Sequence, residues 1–381
     1  MRALLVTYHV IGAKRTAFFT RLCYWLLEMG FSVDVFTYPY YLLDILLRRN
    51  ERNSCSTLVR LKKGFHEQMG VVRNFTVPRL LYFRIVRHFP KLIKQAYLTP
   101  RTLESMIQGP YDLAIFESTI GICFFDLFRK LNPKAKVIYR PSDPLCFVPP
   151  YNLDWYILGC EKAVIETADM VLFVSDETKQ KVLEYYCLKD DPDRFTVIRN
   201  PVEDVVFQDI DAKPLPLRKK RAIYAGFFPV EWSLVASLAN VYRNYEFLII
   251  GPKRKIREKN VVVTGELPFE EVVNCIHEAR VGIIPYRYIG KINEHLLLTK
   301  KVILMMKAKM PILAMNTSPE VTKYGLTLAT SPNDFVQKFA ELISYTEVNE
   351  YFYYNEKVLD DFREKVVYSN FKAVIQKLLQ R

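Results

Sequence analysis

The sequence predicts an α/β protein built as two Rossmann-like domains that face each other across a cleft, and three observations predict it. The chain has 381 residues, more than a single hydrophobic core usually organises. Short apolar runs alternate with helical periods through its first 200 residues, the pattern of a parallel sheet covered on both faces. The alternation stops at a Pro- and Lys-rich passage and then restarts, so two sheets are expected rather than one.

The elements follow in order. Ala3–Thr7 is an apolar run of strand length, Arg15–Met29 has helical spacing and ends at Gly30, and Ser32–Tyr38 is again strand-like. Beyond a basic insert, Leu113–Phe116 reads as a strand, Ile122–Lys130 as a helix and Lys136–Arg140 as a strand. Leu153–Ala168 is a helix, Met170–Ser175 a buried-type strand, Glu177–Tyr186 a helix and Thr196–Ile198 a last strand. RNPVED at 199–204 and DAKPLPLRKK at 211–220 have weak periodicity and read as a linker. In the second half Ala222–Ala225, Tyr245–Ile250 and Val261–Val263 are strands ending at Gly226, Gly251 and Gly265. Phe269–Ala279, Thr299–Ala308 and Asp334–Ser344 are helices, and Val281–Pro285 and Ile312–Met315 are strands. The expected domains are 1–204, with the basic insert at 60–101, then 205–350. Helices over 351–381 are expected to cross back to the first domain.

Composition excludes several classes. Half of the residues are hydrophobic, so disorder on this scale is not expected. The seven Cys form no CxxC pair and read as free thiols of a reducing compartment. The five His have no metal-ligand spacing, and DPD at 191–193 reads as an exposed turn, so no metal is called for. Walker A and GxSxG sequences are absent, against P-loop hydrolysis and serine-hydrolase chemistry. No apolar run reaches membrane-spanning length, and MRALLVTYHV is too short for a signal peptide, so the chain is expected to remain in the cytoplasm.

The net charge is +13, and residues 48–101 hold 13 Lys or Arg against Glu51 and Glu67 alone. A field of that sign attracts anionic partners. Within PRLLYFRIVRHFPKLIKQAYLTPR at 78–101, Arg84, Arg87, Lys91 and Lys94 share one helical face and Leu81, Ile85, Leu92 and Ala96 another. Such a stretch suits an anionic membrane surface. A packed helix with a solvated basic face is the plainer reading. Nucleic acid is not expected, because no recognised reader motif accompanies the charge.

Ligands of open α/β sheets bind beyond the carboxyl ends of the strands. Asp143, in KVIYRPSDPL, sits there on a loop stiffened by Pro141 and Pro144. It can take a proton from a hydroxyl nucleophile, or simply cap a turn. Glu117 follows the preceding strand and reads as an orienting carboxylate for loop backbone or Arg140, with Ser118 and Thr119 placed to cap the next helix. His9 follows the first strand, where it can touch substrate; Lys14 and Arg15 open a helix whose start can hold an anion, or form a solvated helix end. In the second half, turns at Gly226, Gly251 and Gly265 bring backbone N–H groups toward any phosphate. Lys300 and Lys301 begin a helix, where cations oppose the dipole unless a diphosphate is present; a solvated pair is the alternative.

Two long segments carry a family resemblance. YDLAIFESTIGICFFDLFRKLNPKAKVIYRPSDPL, at 111–145, resembles the stretch around the FES and YRxSD elements of the xanthan-type glucuronosyltransferases, membrane-associated enzymes of the GT-B class. NVVVTGELPFEEVVNCIHEARVGIIPY, at 260–286, resembles a second stretch of that family. The match spans roughly residues 110–315; the first 40 residues match more loosely, and the insert and C-terminus hardly at all. The resemblance implies a GT-B fold and an inverting, metal-independent transfer of a sugar from a UDP-sugar, with Asp143 as general base. It places Glu266, Leu267, Tyr286 and Lys301 on the donor side, with Phe228 where the family has a nucleotide-contacting Met, and gives Lys301 the diphosphate. It implies a polyprenyl-diphosphate-linked glycan or other glycolipid acceptor, met by a peripheral protein at the inner face of the cell membrane. Leu304 stands where the family has Gln, Leu267 where it has Met and Lys181 where it has Glu, which leaves the donor sugar open, glucuronate included. The alternatives are a sugar-nucleotide epimerase and a non-catalytic glycan-binding protein of the membrane surface.

Overall fold

A computed structural model describes residues 1–7, 18–37, 65–67, 70–75, 104, 107–148, 154–207, 214–345 and 356–380. Its contacts divide the chain into two compact units, 1–199 with 368–381, and 200–367.

The first unit is built on one sheet. Its strands are β1 (Arg2–Thr7), β2 (Ser32–Thr37), β3 (Phe65–Glu67), β4 (Gly70–Phe75), β5 (Leu113–Glu117), β6 (Lys136–Arg140), β7 (Met170–Phe173) and β8 (Phe195–Val197). They lie in the order β3-β4-β2-β1-β5-β6-β7-β8, and every pairing is parallel except the β3–β4 hairpin. The order reverses between β1 and β5, the switch point at which such sheets open a ligand crevice. Apolar runs such as Leu113–Phe116 are buried because helices cover the sheet.

Two features differ from the sequence reading. Residues 65–67 and 70–75 are strands of this sheet, so the insert expected at 60–101 begins inside the domain. Basic composition hid β4, whose Arg73 leaves the sheet plane to pair with Asp34 at 2.8 Å. The proposed amphipathic face at 78–101 lies outside the described residues. The helix expected at 122–130 is a 3-10 turn, Ile120–Phe124, followed by an α-helix, Phe125–Leu131. Thr119 Oγ1 caps that turn by accepting from the Gly121 N–H at 3.1 Å.

At the far end of the chain, Trp25 of helix Phe18–Glu28 packs against Tyr368 and Phe371, with ring centroids 5.5 and 5.7 Å apart. Both belong to helix Glu364–Gln380, whose residues from Tyr368 onward cluster with the first unit.

The second unit contains β9 (Lys219–Ala225), β10 (Glu246–Ile250), β11 (Val261–Gly265), β12 (Ala279–Pro285), β13 (Ile312–Met315) and β14 (Thr327–Ala329). The sheet is wholly parallel, in the order β11-β10-β9-β12-β13-β14, and its switch point lies between β9 and β12. Helix Trp232–Val241 and strand β14 are additional to the elements read from sequence. Helix Pro332–Ser344 starts sharply: Ser331 Oγ accepts from the Asp334 N–H at 3.1 Å, and Pro332 occupies its first position.

The expected linker is partly structured. Val202 forms a bridge with Arg363, its N–H donating to Phe362 O at 2.7 Å and its carbonyl accepting from Glu364 N at 3.0 Å. Apolar Val202 and Val206 are buried in the core of the second unit.

Candidate active site

The first unit brings its candidates to the carboxyl ends of β1, β5 and β6. Thr7 Oγ1, at the end of β1, donates to Glu117 Oε2, at the end of β5, at 2.5 Å. Glu117 is buried, and its charge raises the affinity of Arg140 for its proton. Burial acts more strongly in the other direction and lowers the Arg140 pKa to about 9. Arg140 has no exposed surface. Its Nη1 donates to the carbonyls of Leu172, Phe173 and Ile198 at 3.1, 2.9 and 2.5 Å, and the guanidinium lies 4.4 Å from the Phe18 ring centre. Arg140 therefore braces the ends of β7 and β8 from inside the unit, while Glu117 braces β1 against β5.

Asp143 lies on the loop after β6 and is exposed. Its N–H donates to Ser118 Oγ at 3.0 Å. Ser118 thus holds the Asp143 loop instead of capping a helix. His9, Lys14 and Arg15 lie outside the described residues.

A residue missed in the sequence sits beneath this loop. Glu161, in helix Asp154–Thr167, has no exposed surface. Its Oε1 accepts from Tyr139 Oη at 2.5 Å and from the Leu145 N–H at 2.9 Å. Its Oε2 accepts from Tyr186 Oη at 2.7 Å and from the Cys146 N–H at 2.8 Å. Burial pushes the Glu161 carboxyl upward against the pull of these four bonds. The available signal was a Glu on the apolar side of YILGCEKAVIE, where a charge needs partners.

The second unit concentrates its chemistry at the β9/β12 switch point. Lys301 opens helix Lys300–Lys307 and turns its ammonium inward. Nζ donates to Tyr224 Oη at 3.1 Å and lies 4.5 and 4.7 Å from the ring centres of Tyr224 and Tyr286. Among the described residues no carboxylate pairs with it, and burial lowers its pKa from 10.5 to about 7. The two rings stabilise a cation through their faces but leave its charge uncancelled. Tyr224, the second residue missed in the sequence, also donates to Phe228 O at 2.9 Å and so fixes the loop after β9.

Glycine is needed twice here. A Cβ on Gly226, where φ is +150°, would stand 2.4 Å from Lys301 Nζ. One on Gly251, at φ +113°, would stand 2.3 Å from the Gly226 carbonyl oxygen. The lysine amine therefore occupies space that only glycine leaves open.

The remaining donor-side candidates divide. Phe228 packs its ring 4.5 Å from that of Tyr286, which is fully buried. Glu266, following β11, is exposed, and Leu267 is half-buried against the core. Lys300 turns elsewhere: Nζ meets Glu203 Oε1 at 2.5 Å and lies 4.4 Å from the Phe269 ring centre. The structure thus separates two neighbouring lysines, one paired with Glu203 and one that meets no carboxylate among the described residues. Among the described residues no group of three His, Cys, Asp or Glu could hold a metal ion, and no helix is long and apolar enough to cross a membrane.

The family described as glucuronosyltransferase GumK, N-terminal domain, matches residues 5–174. The UDP-glucuronate:glycolipid 2-beta-glucuronosyltransferase of Xanthomonas campestris pv. campestris is 29% identical over 180 residues, 46% of this chain and 42% of that relative. The matched region thus spans less than half the length of that relative. Among solved structures, sucrose-phosphate synthase from Thermosynechococcus elongatus is similar over 100% of both chains, with a TM-score of 0.68 and 13% identity. HepE of Anabaena in complex with UDP aligns over 99% of this chain and 100% of its own, with a TM-score of 0.62 and 10% identity. WaaG, a glycosyltransferase of lipopolysaccharide biosynthesis, aligns over 98% of each chain, with a TM-score of 0.60 and 12% identity. The two parallel, helix-flanked sheets and these full-length similarities establish a GT-B architecture of two Rossmann-like domains.

Proposed function

We propose that this protein is an inverting glycosyltransferase that moves a sugar from a UDP-sugar to a lipid-linked glycan in polysaccharide or glycolipid synthesis, without a metal ion. The observation that carries the reading is Lys301: a half-buried lysine whose inward ammonium meets two tyrosine rings and, among the described residues, no carboxylate, at the switch point of a parallel sheet and held where glycine clears the way. Such a group binds an anion with gain, because the anion restores what burial removed. The similarity of residues 5–174 to a glucuronosyltransferase family supports the same reaction class. Donors that include UDP-glucuronate and acceptors that include polyprenyl-diphosphate-linked glycans follow from that similarity. The basic stretch over 48–101 supports a peripheral position on an anionic membrane, at its cytoplasmic face.

In this reaction the acceptor hydroxyl gives its proton to Asp143 as its oxygen attacks the anomeric carbon of the donor sugar. The bond from that carbon to the diphosphate breaks, and configuration inverts. UDP leaves as the diphosphate takes up the electron pair, with its charge offset by the Lys301 ammonium. Phe228, Tyr286, Glu266 and Leu267 line the donor side, and Lys300 reaches it by exchanging Glu203 for phosphate. Glu117 and Arg140 support the loops, and the sequence assigns His9, Lys14 and Arg15 to the acceptor side.

Incubation with a panel of UDP-sugars and lipid-linked acceptors, read by mass spectrometry, tests the proposal. A glycosylated acceptor with stoichiometric UDP is expected. Conversion of a UDP-sugar with no acceptor would instead show an epimerase, and binding without UDP release a non-catalytic glycan binder. Asp143→Asn should lower turnover by about 10²–10⁴-fold with UDP still bound; near-normal turnover would remove Asp143 from the reaction.

A further inference from the structure

The loop that carries Asp143 is held at both ends by side chains from other elements. Ser118 Oγ accepts the N–H of Asp143 itself, and the Glu161 carboxylate accepts the successive N–H groups of Leu145 and Cys146. A fully buried carboxylate carries a large desolvation cost unless every lone pair is used. Glu161 meets that condition through two hydroxyls and two backbone amides, each at 2.9 Å or less.

The four donors are not equivalent. Tyr139 and Tyr186 can rotate their hydroxyls and accept as readily as donate. The Leu145 and Cys146 amides can only donate, and they belong to the segment two and three residues beyond Asp143. Each carboxylate oxygen takes one amide and one hydroxyl. A glutamine at 161 would set its NH2 against one of those amides, whichever way it is turned. The tyrosine on that side can adapt; the amide cannot, so the loop must shift or lose its bond. The requirement for a carboxylate therefore comes from the loop backbone rather than from the tyrosines.

We propose that Glu161 is a positioning residue for the transfer reaction, fixing the reach of Asp143 by clamping the Leu145 and Cys146 amides from below. This rests on the reading of Asp143 as the base that accepts the proton. The part of the chain it acts on lies in the first unit, so the donor grip at Lys301 is untouched.

The test uses full-length Glu161→Gln, Tyr186→Phe and Asp143→Asn, with turnover followed as UDP release on the donor and acceptor pair found in the mass-spectrometric panel. UDP affinity is measured by calorimetry and stability by urea unfolding. Glu161→Gln should reduce kcat by about a hundredfold, the loss expected of a misplacement near 1 Å, and leave UDP affinity within about twofold. Tyr186→Phe, which removes a hydroxyl and no amide contact, should keep kcat within about threefold even where it costs similar stability. Amide exchange at Leu145 and Cys146 should accelerate in the first variant more than in the second. If the glutamine variant does not fold, Glu161→Asp offers both acceptor oxygens a methylene short and gives the same comparison, with kcat lowered and UDP affinity kept. Equal kcat losses in Glu161→Gln and Tyr186→Phe at equal stability would overturn the positioning role, as would unchanged kcat in a folded position-161 variant. Asp143→Asn separates the layers: near-normal turnover there removes the base itself, whereas its collapse beside an active Glu161→Gln removes only the clamp.

Discussion

The titration of Lys301 offers the most direct measurement of the proposed donor grip. In the free protein burial lowers its pKa from 10.5 to about 7, and no carboxylate among the described residues opposes that shift. A bound diphosphate supplies the missing negative charge and drives the lysine back toward its ordinary range. Binding is then linked to proton uptake. At pH 7 the free lysine is about half protonated and at pH 9 about 1%, so UDP affinity should fall about fiftyfold between them, roughly 2.3 kcal/mol. The terminal phosphate of UDP titrates near pH 6 and is ionised throughout that window. Tyr224 and Tyr286 are pushed upward by burial, out of the same window. Calorimetry in buffers of different ionisation enthalpy at pH 8 should show uptake of about 0.9 proton per UDP. Lys301→Met should bind UDP weakly and without this slope. Stability of the free protein should move the other way. The unfolded chain holds the lysine proton up to 10.5 and the folded one only to about 7, so stability rises as pH climbs through that interval. Affinity that stays level from pH 7 to 9, with no proton uptake at pH 8, would refute an ammonium with this pKa at the diphosphate.

Two substitutions test the surroundings of these groups, each in one unit. Gly226→Ala places a methyl 2.4 Å from Lys301 Nζ at a φ of +150°; it should raise the UDP Kd about tenfold and cost about 1–3 kcal/mol in urea unfolding. Arg140→Met leaves the Leu172, Phe173 and Ile198 carbonyls without their shared donor and should destabilise the protein by about 3 kcal/mol or more, while UDP affinity stays at its original value.

The sequence yields the fold most clearly where strands are buried on both faces. Lys136–Arg140 and Ile312–Met315 are observed at the residues expected, because a continuous apolar run between turn signals has few other uses. Strand β4, GVVRNF, escapes that logic, since it lies toward the sheet edge and carries an Arg that pairs with Asp34 from another strand. Helix Trp232–Val241 escapes it too: Ser and Asn interrupt an apolar period that tertiary packing nonetheless buries. The opening of the helix at Lys300 is legible, but the opposite fates of its two lysines are not. Lys300 pairs with Glu203, nearly a hundred residues away in the chain, and Lys301 meets Tyr224 across the same unit.

The same distance rule explains why the support of the candidate site was harder to read than its reactive groups. Asp143 and Lys301 announce themselves locally, one by a Pro-flanked strand end, the other by a cation at a helix start where the dipole disfavours it. Glu161 has a fainter local mark, a place on the apolar side of its helix, and its importance lies in donors from Tyr139, Leu145, Cys146 and Tyr186. A buried acid satisfied by four donors resists replacement more stubbornly than an exposed one. Turnover in this chain should therefore depend on a carboxylate buried beneath the loop almost as steeply as on Asp143, the exposed one proposed to take the proton.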